Sequence, residues 1–180
     1  MNIREISFVI LLCIPVFMIG QSYTNTFSVS GGIFGDGYGG EVTFNSNLSE
    51  DTFTQLALNV SIANYELGIK SIPYSSFTAS YSYFVTVYSR NRKMQALSLG
   101  GGALAGYEMV NNGELEVSNI VSVNGKSKII YGAVLTGDLD IIVSEHISLV
   151  IRTSEFYHVN SDFGKFTNYT GLGFRYYFNK

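Results

Sequence analysis

The stretch Tyr169-Thr170-Gly171-Leu172-Gly173-Phe174-Arg175-Tyr176-Tyr177-Phe178 limits what this chain can fold into more than any other segment. With a period of two, Leu172, Phe174, Tyr176 and Phe178 share one face, while Gly171, Gly173, Arg175 and Tyr177 share the other. A soluble sandwich strand rarely ends on exposed aromatics without a layer to cover them. A strand that closes a membrane barrel does so naturally, because lipid takes the aromatic face and the lumen takes the arginine. The segment is therefore expected to be the last strand of an outer-membrane barrel, with Gly171, Gly173, Phe174, Tyr176 and Phe178 as the closing-strand signal.

At 180 residues the chain is one domain, long enough for about eight membrane strands of roughly 9–11 residues each. Charged residues make up 14%, below the quarter usual in soluble domains, and Tyr and Phe contribute 13 each. The net charge of −3 supplies no basic field for nucleic acid. Arg4, an apolar run over residues 6–19 and Gly20-Gln21 are expected to form a secretory signal cleaved after Gly20, leaving 21–180 as the barrel domain. The run is too short for a spanning helix. Cleavage removes Cys13 and with it any thiol or disulfide chemistry.

Alternation places the strands in order. Phe27, Val29 and Ile33 open the first, and the Gly-rich stretch 35–39 is expected to turn it. Glu41, Thr43 and Asn45 then face inward against Val42 and Phe44. Leu56, Leu58, Val60 and Ile62 oppose Ala57, Asn59 and Ser61, with a phase slip near Asn64 read as a β-bulge. Pro73 is expected to start the fourth strand, as proline can at a strand's first position, with Phe77, Tyr81, Tyr83 and Val85 outward. In the fifth, over 95–109, inward Gly100, Gly102 and Gly106 make room for bulky groups from opposite strands. The longest connection, 110–128, precedes a sixth strand over 129–141, a seventh over 147–157, a loop over 158–166 and the closing strand. Short turns at 47–51, 89–93 and 144–146 are expected in the periplasm and the other connections outside. Tyr38, Tyr65, Tyr74, Tyr81, Tyr107, Tyr157, Tyr169 and Tyr176 are expected to form aromatic girdles.

No catalytic, cofactor or metal site emerges. Gly100-Gly101-Gly102-Ala103-Leu104-Ala105 fits a dinucleotide fingerprint, but alternation continues through Glu108 where that motif requires a helix. His158 with Ser154, Glu155 and Ser161 lacks an activated nucleophile and is expected to be a loop histidine at the membrane interface. His146 falls at the opposite end, so the two histidines cannot share a metal. The inward charges carry more information. Glu41, Glu108, Asp138, Asp140, Arg152 and Arg175 all fall on lumen positions, where buried charges must pair. They are expected to form a lumen charge network that plugs the barrel; an ion pathway or gate is the other reading.

Gly102-Ala103-Leu104-Ala105-Gly106-Tyr107-Glu108, Asn111-Asn112-Gly113-Glu114, Tyr131-Gly132-Ala133, Ser144-Glu145-His146-Ile147 and Gly171-Leu172-Gly173-Phe174-Arg175 together resemble the TraO family of conjugative-transposon transfer proteins of Bacteroidetes. The resemblance spans about residues 81–178. It implies a non-enzymatic outer-membrane component of a DNA-transfer apparatus, embedded in outer-membrane lipid and partnered by other transfer proteins, with no direct nucleic-acid binding. The expected fold is all-β: an eight-stranded antiparallel up-and-down transmembrane barrel of the outer-membrane type. Alternatives are a general small barrel acting through its surface loops, as an adhesin or in envelope stability, a membrane-embedded lipid-modifying enzyme, and a soluble lipocalin-like barrel.

Overall fold

The computed structural model describes residues 25–35, 37–67, 70–90, 94–110, 116–118, 121–122, 127–161 and 165–178, with side chains outside 64–74 and 110–126. The expected signal segment lies outside these residues. Eight strands close into one barrel: β1 (Asn25–Phe34), β2 (Gly37–Asn47), β3 (Thr52–Leu67), β4 (Lys70–Arg90), β5 (Gln95–Val110), β8 (Lys128–Ile142), β9 (Ile147–His158) and β10 (Phe166–Tyr177). Their order around the wall is β1-β10-β9-β8-β5-β4-β3-β2, and every neighbouring pair is antiparallel. Two short strands, β6 (Glu116–Ser118) and β7 (Val121–Ser122), form a separate ribbon within the longest connection.

Closure removes both sheet edges, because β10 returns to pair with β1. Val29 pairs with Phe174 and Phe27 with Tyr176, so the closing strand seals against the first. Phe34, at the end of β1, pairs with Tyr169. From there, successive partners Ser154, Thr136, Gly100, Phe84, Phe53 and Asn47 lead around the wall and return beyond Asn25, the start of β1. That stagger tilts every strand against the barrel axis.

Burial alternates with a period of two. Outward-facing Val29, Leu56, Leu58, Tyr81, Leu135, Leu172 and Phe174 are exposed, whereas inward Thr43, Asn59, Ser80, Thr136 and Arg152 are buried. The apolar side therefore faces out and the polar side in, the inverse of a soluble barrel and the arrangement lipid demands. Through most of the wall each strand pairs with two neighbours, which satisfies its backbone groups as a spanning segment requires.

The lumen is layered. Near the end that carries the long connection, Phe34, Leu104, Val134, Phe156 and Tyr169 pack as an apolar cluster, with ring centroids 5.3 Å apart for Phe34–Phe156 and 5.8 Å for Phe34–Tyr169. Phe53 and Phe84 stack at 4.7 Å on the opposite wall, nearer the terminal end. The charged residues occupy the space below the cluster.

Several boundaries differ from those expected. Gly37 and Gly39 belong to β2 rather than to a turn: a Cβ on Gly37 would meet the Ala63 Cα at 2.6 Å, so the glycine permits close strand approach. The turn shrinks around Gly35, whose φ of 55° suits a residue without Cβ. Register runs unbroken from Ala63 through Tyr65, so no bulge lies near Asn64, and Pro73 pairs with Asn64 inside β4 instead of starting it. The bulge lies in β4 between Thr86 and Tyr88, where Val87 and Tyr88 both turn outward. Tyr169 is buried inside and takes no part in a girdle. Tyr65 and Tyr74 lie outside the described side chains.

Inward glycines serve adjacent strands rather than opposite ones. Gly100 pairs with Phe84 in register, and a Cβ on it would meet the Phe84 ring at 2.5 Å. Gly100→Val is expected to destabilise the barrel by about 1–3 kcal/mol through overpacking. Adding Phe84→Ala should return part of that loss. Urea midpoints of the folded protein, followed by heat-modifiable gel mobility, measure both effects.

Candidate functional site: the charged lumen

Strand β9 sends Ser148, Val150, Arg152, Ser154, Phe156 and His158 inward. Arg152 stands across from Asp138 of β8 in register. Its Nε donates to Asp138 Oδ1 at 2.5 Å and its Nη2 to Asp138 Oδ2 at 2.5 Å, a bidentate fork matched to the carboxylate plane. The remaining Nη1 reaches Glu41 Oε1 on β2. One guanidinium therefore ties β9 to its neighbour and to a strand across the lumen.

Arg175 of the closing strand extends the network. Its Nη2 donates to Asp138 Oδ2 at 2.7 Å and its Nη1 to Asp140 Oδ2. The Tyr177 hydroxyl also donates to Asp140 Oδ2, at 3.2 Å. Three carboxylates thus meet two guanidiniums, and all five side chains are buried. A buried carboxylate without a partner is strongly disfavoured, so each arginine holds its acids in place and is held by them.

Around this centre runs a lining of short polar side chains. Ser28 and Thr43 approach to 2.5 Å, Ser61 and Ser76 to 2.7 Å, and Thr136 and Ser154 to 2.9 Å, each pair directly opposed in register. Gln55 Nε2 donates to Asn45 Oδ1 at 2.9 Å. These bonds satisfy polar groups locally and narrow the lumen from the walls inward.

The structure brings Glu41, Asp138, Asp140, Arg152 and Arg175 together and leaves Glu108 elsewhere. Glu108 is buried toward the long-loop end and accepts a hydrogen bond from Ser161 Oγ at 2.7 Å. Gly171 and Gly173 face inward on β10, while Phe174, Tyr176 and Phe178 face out. Gly171 leaves room for the Tyr169 ring, which a Cβ would meet at 2.6 Å, and this lets the Tyr169 hydroxyl reach Ser30 Oγ at 2.9 Å. Tyr177 was missed as a network member, although it shares its inward parity with Arg175.

His158 is not a loop residue. It is the last residue of β9, buried, with its ring parallel to Phe156 at 6.2 Å. Two-residue periodicity carries the inward face one step further than the loop boundary drawn from polarity. Ser154 bonds to Thr136 inside, Glu155 faces outward and Ser161 bonds to Glu108, so these side chains do not converge on His158. His146 lies at the terminal end beside the Tyr176 ring, 6.0 Å away. Among the described residues no three His, Cys, Asp or Glu side chains gather as a metal site.

An apolar exterior around a filled, ion-paired interior defines an eight-stranded barrel of the outer-membrane type. Solved structures share this fold: a major outer membrane protein of Thermus thermophilus (TM-score 0.63, 12% identity, covering 86% of this chain and 98% of that one), the attachment invasion locus protein Ail of Yersinia pestis (0.55, 10%, 86% and 97%) and Neisserial surface protein A (0.53, 11%, 86% and 96%). Over residues 21–178 the sequence matches the family described as conjugative transposon protein TraO, and the chain belongs to that family. No curated protein matches it in sequence.

Arg152→Ala is expected to cost about 3–5 kcal/mol, because Glu41 loses its described cation and Asp138 loses one of two. Arg152→Lys should fall between wild type and alanine, since an ammonium cannot reproduce the fork. Equilibrium urea unfolding in detergent micelles or lipid vesicles gives the ranking.

Proposed function

We propose that this TraO chain is a non-enzymatic outer-membrane component of a conjugative DNA-transfer apparatus, anchoring or supporting an envelope-spanning complex. In this reading residues 1–20 direct export and the barrel inserts with the termini of β1 and β10 toward the periplasm. The long connection containing β6 and β7 then lies outside, as longer loops do in this class of barrel. The partners are outer-membrane lipid and other transfer proteins. DNA is not among them.

The filled lumen carries this assignment. Arg152 with its carboxylates, beneath the Phe34–Tyr169 cluster, occupies the interior of a barrel whose strand number leaves space for side chains and little else. A duplex or single strand has no route through it. Membership of a conjugative-transposon family therefore supports a scaffold beside the conduit rather than the conduit itself.

Deleting the gene from a donor strain is expected to lower transfer frequency by orders of magnitude, with restoration by the wild-type chain in trans. Photoreactive residues at Leu48 and Ser144, in the turns at the terminal end, should capture other transfer proteins in mating cells. Unchanged transfer after deletion would remove this reading and favour a barrel that acts through its surface loops.

A further inference from the structure

The outward face of β9 and β10 departs from the pattern of the remaining wall. From the terminal end, Ile147 opposes Tyr176, Leu149 opposes Phe174 and Ile151 opposes Leu172, all apolar or aromatic pairs. The next two pairs are Thr153 with Thr170 and Glu155 with Asn168, after which Tyr157 opposes Phe166. The two threonine hydroxyls lie on the exposed face, 3.2 Å apart. Glu155 and Asn168 are both exposed, and among the described residues neither side chain has a hydrogen-bond or ion-pair partner.

This polar patch is set within the apolar belt. The rings of Tyr157 and Phe166 pack at 5.0 Å above it, on the long-loop side. Leu135, the β8 partner of Glu155, is followed in that direction by outward Ala133, Tyr131 and Ile129, so the apolar wall continues past the level of the carboxylate. On the other flank Thr170 opposes exposed Ile33. A carboxylate directed at hydrocarbon is disfavoured, and ionisable groups at such depth mark functional contacts more often than chance placement.

We propose that this face docks a membrane-embedded segment of another protein of the transfer apparatus, one that presents a lysine or arginine to Glu155 and hydrogen-bonding groups to Asn168, Thr153 and Thr170. The identity of the partner as a transfer protein rests on the function proposed above. Charge selects the occupant. A second copy related by a two-fold axis through the patch would bring Glu155 toward Glu155, and the described exposed cations nearest the wall, Arg90 at the end of β4 and Lys165 before β10, lie at strand ends rather than within the belt. Lipid chains supply no donor, and phosphate head groups repel the carboxylate. Thr153, Thr170 and neighbouring Gly137 are small, which allows a partner's backbone to come close, as packed segments in membranes require.

A photoreactive residue at Leu135, beside the patch, and another at Leu58, on a different wall, test the proposal in donor cells. The Leu135 probe is expected to yield a protein adduct whose crosslinked peptide carries lysine or arginine, and the Leu58 probe none. Glu155→Asp should keep the adduct, while Glu155→Lys should lower its yield about tenfold or more. Heat-modifiable mobility reports folding, and Glu155→Gln substitutes for the lysine variant if that one does not insert, with a several-fold decrease expected. No adduct at Leu135, an adduct only to lipid or to a second copy, or a yield indifferent to the charge at 155 would overturn the docking face. If transfer requires the chain but Leu135 captures nothing, the docking face fails and the scaffold role stands. If deletion leaves transfer intact while Leu135 still captures a basic membrane protein, the scaffold role fails and the docking face stands.

Discussion

The guanidinium of Arg152 is the contact on which the interior depends. Its fork on Asp138 secures two adjacent strands, and its third donor spans the lumen to Glu41 on β2. Because Asp138 is also held by Arg175, the closing strand joins the same ionic centre that β9 organises. These side chains are buried, so a group that left its partner would be left as an uncompensated charge. The network therefore favours one register and one set of inward faces, since a slip of a single residue would turn the arginines and carboxylates into lipid.

Glycines shape the wall to the aromatic rings that line the lumen at both levels. Tyr169 leans over Gly171 toward Ser30, and the Phe84 ring lies over Gly100, so aromatic bulk is accommodated by missing side chains next to it. Among the described residues, the lower layer pairs its arginines with carboxylates and the upper layer packs rings against one wall. A wall stabilised in this way presents its variable chemistry at the loops and on the exterior, where Glu155 and Asn168 interrupt the belt.

Much of this architecture was legible because a period of two assigns each side chain to a face without reference to any other strand. Leu56 to Ile62, Arg152 and Arg175 needed nothing more. Partner choice across the lumen was not legible, because it depends on the stagger accumulated around eight strands, which no single strand encodes. Inward Phe34, Phe84, Phe156 and Tyr169 resemble lipid-facing aromatics until the neighbouring Gly100 and Gly171 are seen to receive two of them. Gly37 to Gly40 resemble a turn by composition, yet they are wall residues where backbones approach closely. Pro73 and the segment near Asn64 show the same limit: local punctuation was outweighed by continuous pairing of two long strands. His158 was assigned to a loop by polarity although its parity placed it inside.

Packed and ion-paired side chains are expected to close the lumen to small solutes. Liposome swelling with a small sugar tests this closure most directly, using purified protein whose folding is verified by heat-modifiable mobility. Vesicles containing the wild-type barrel are expected to remain as impermeable to arabinose as protein-free vesicles. Rapid swelling proportional to the amount of inserted protein would instead show an open pore through the barrel.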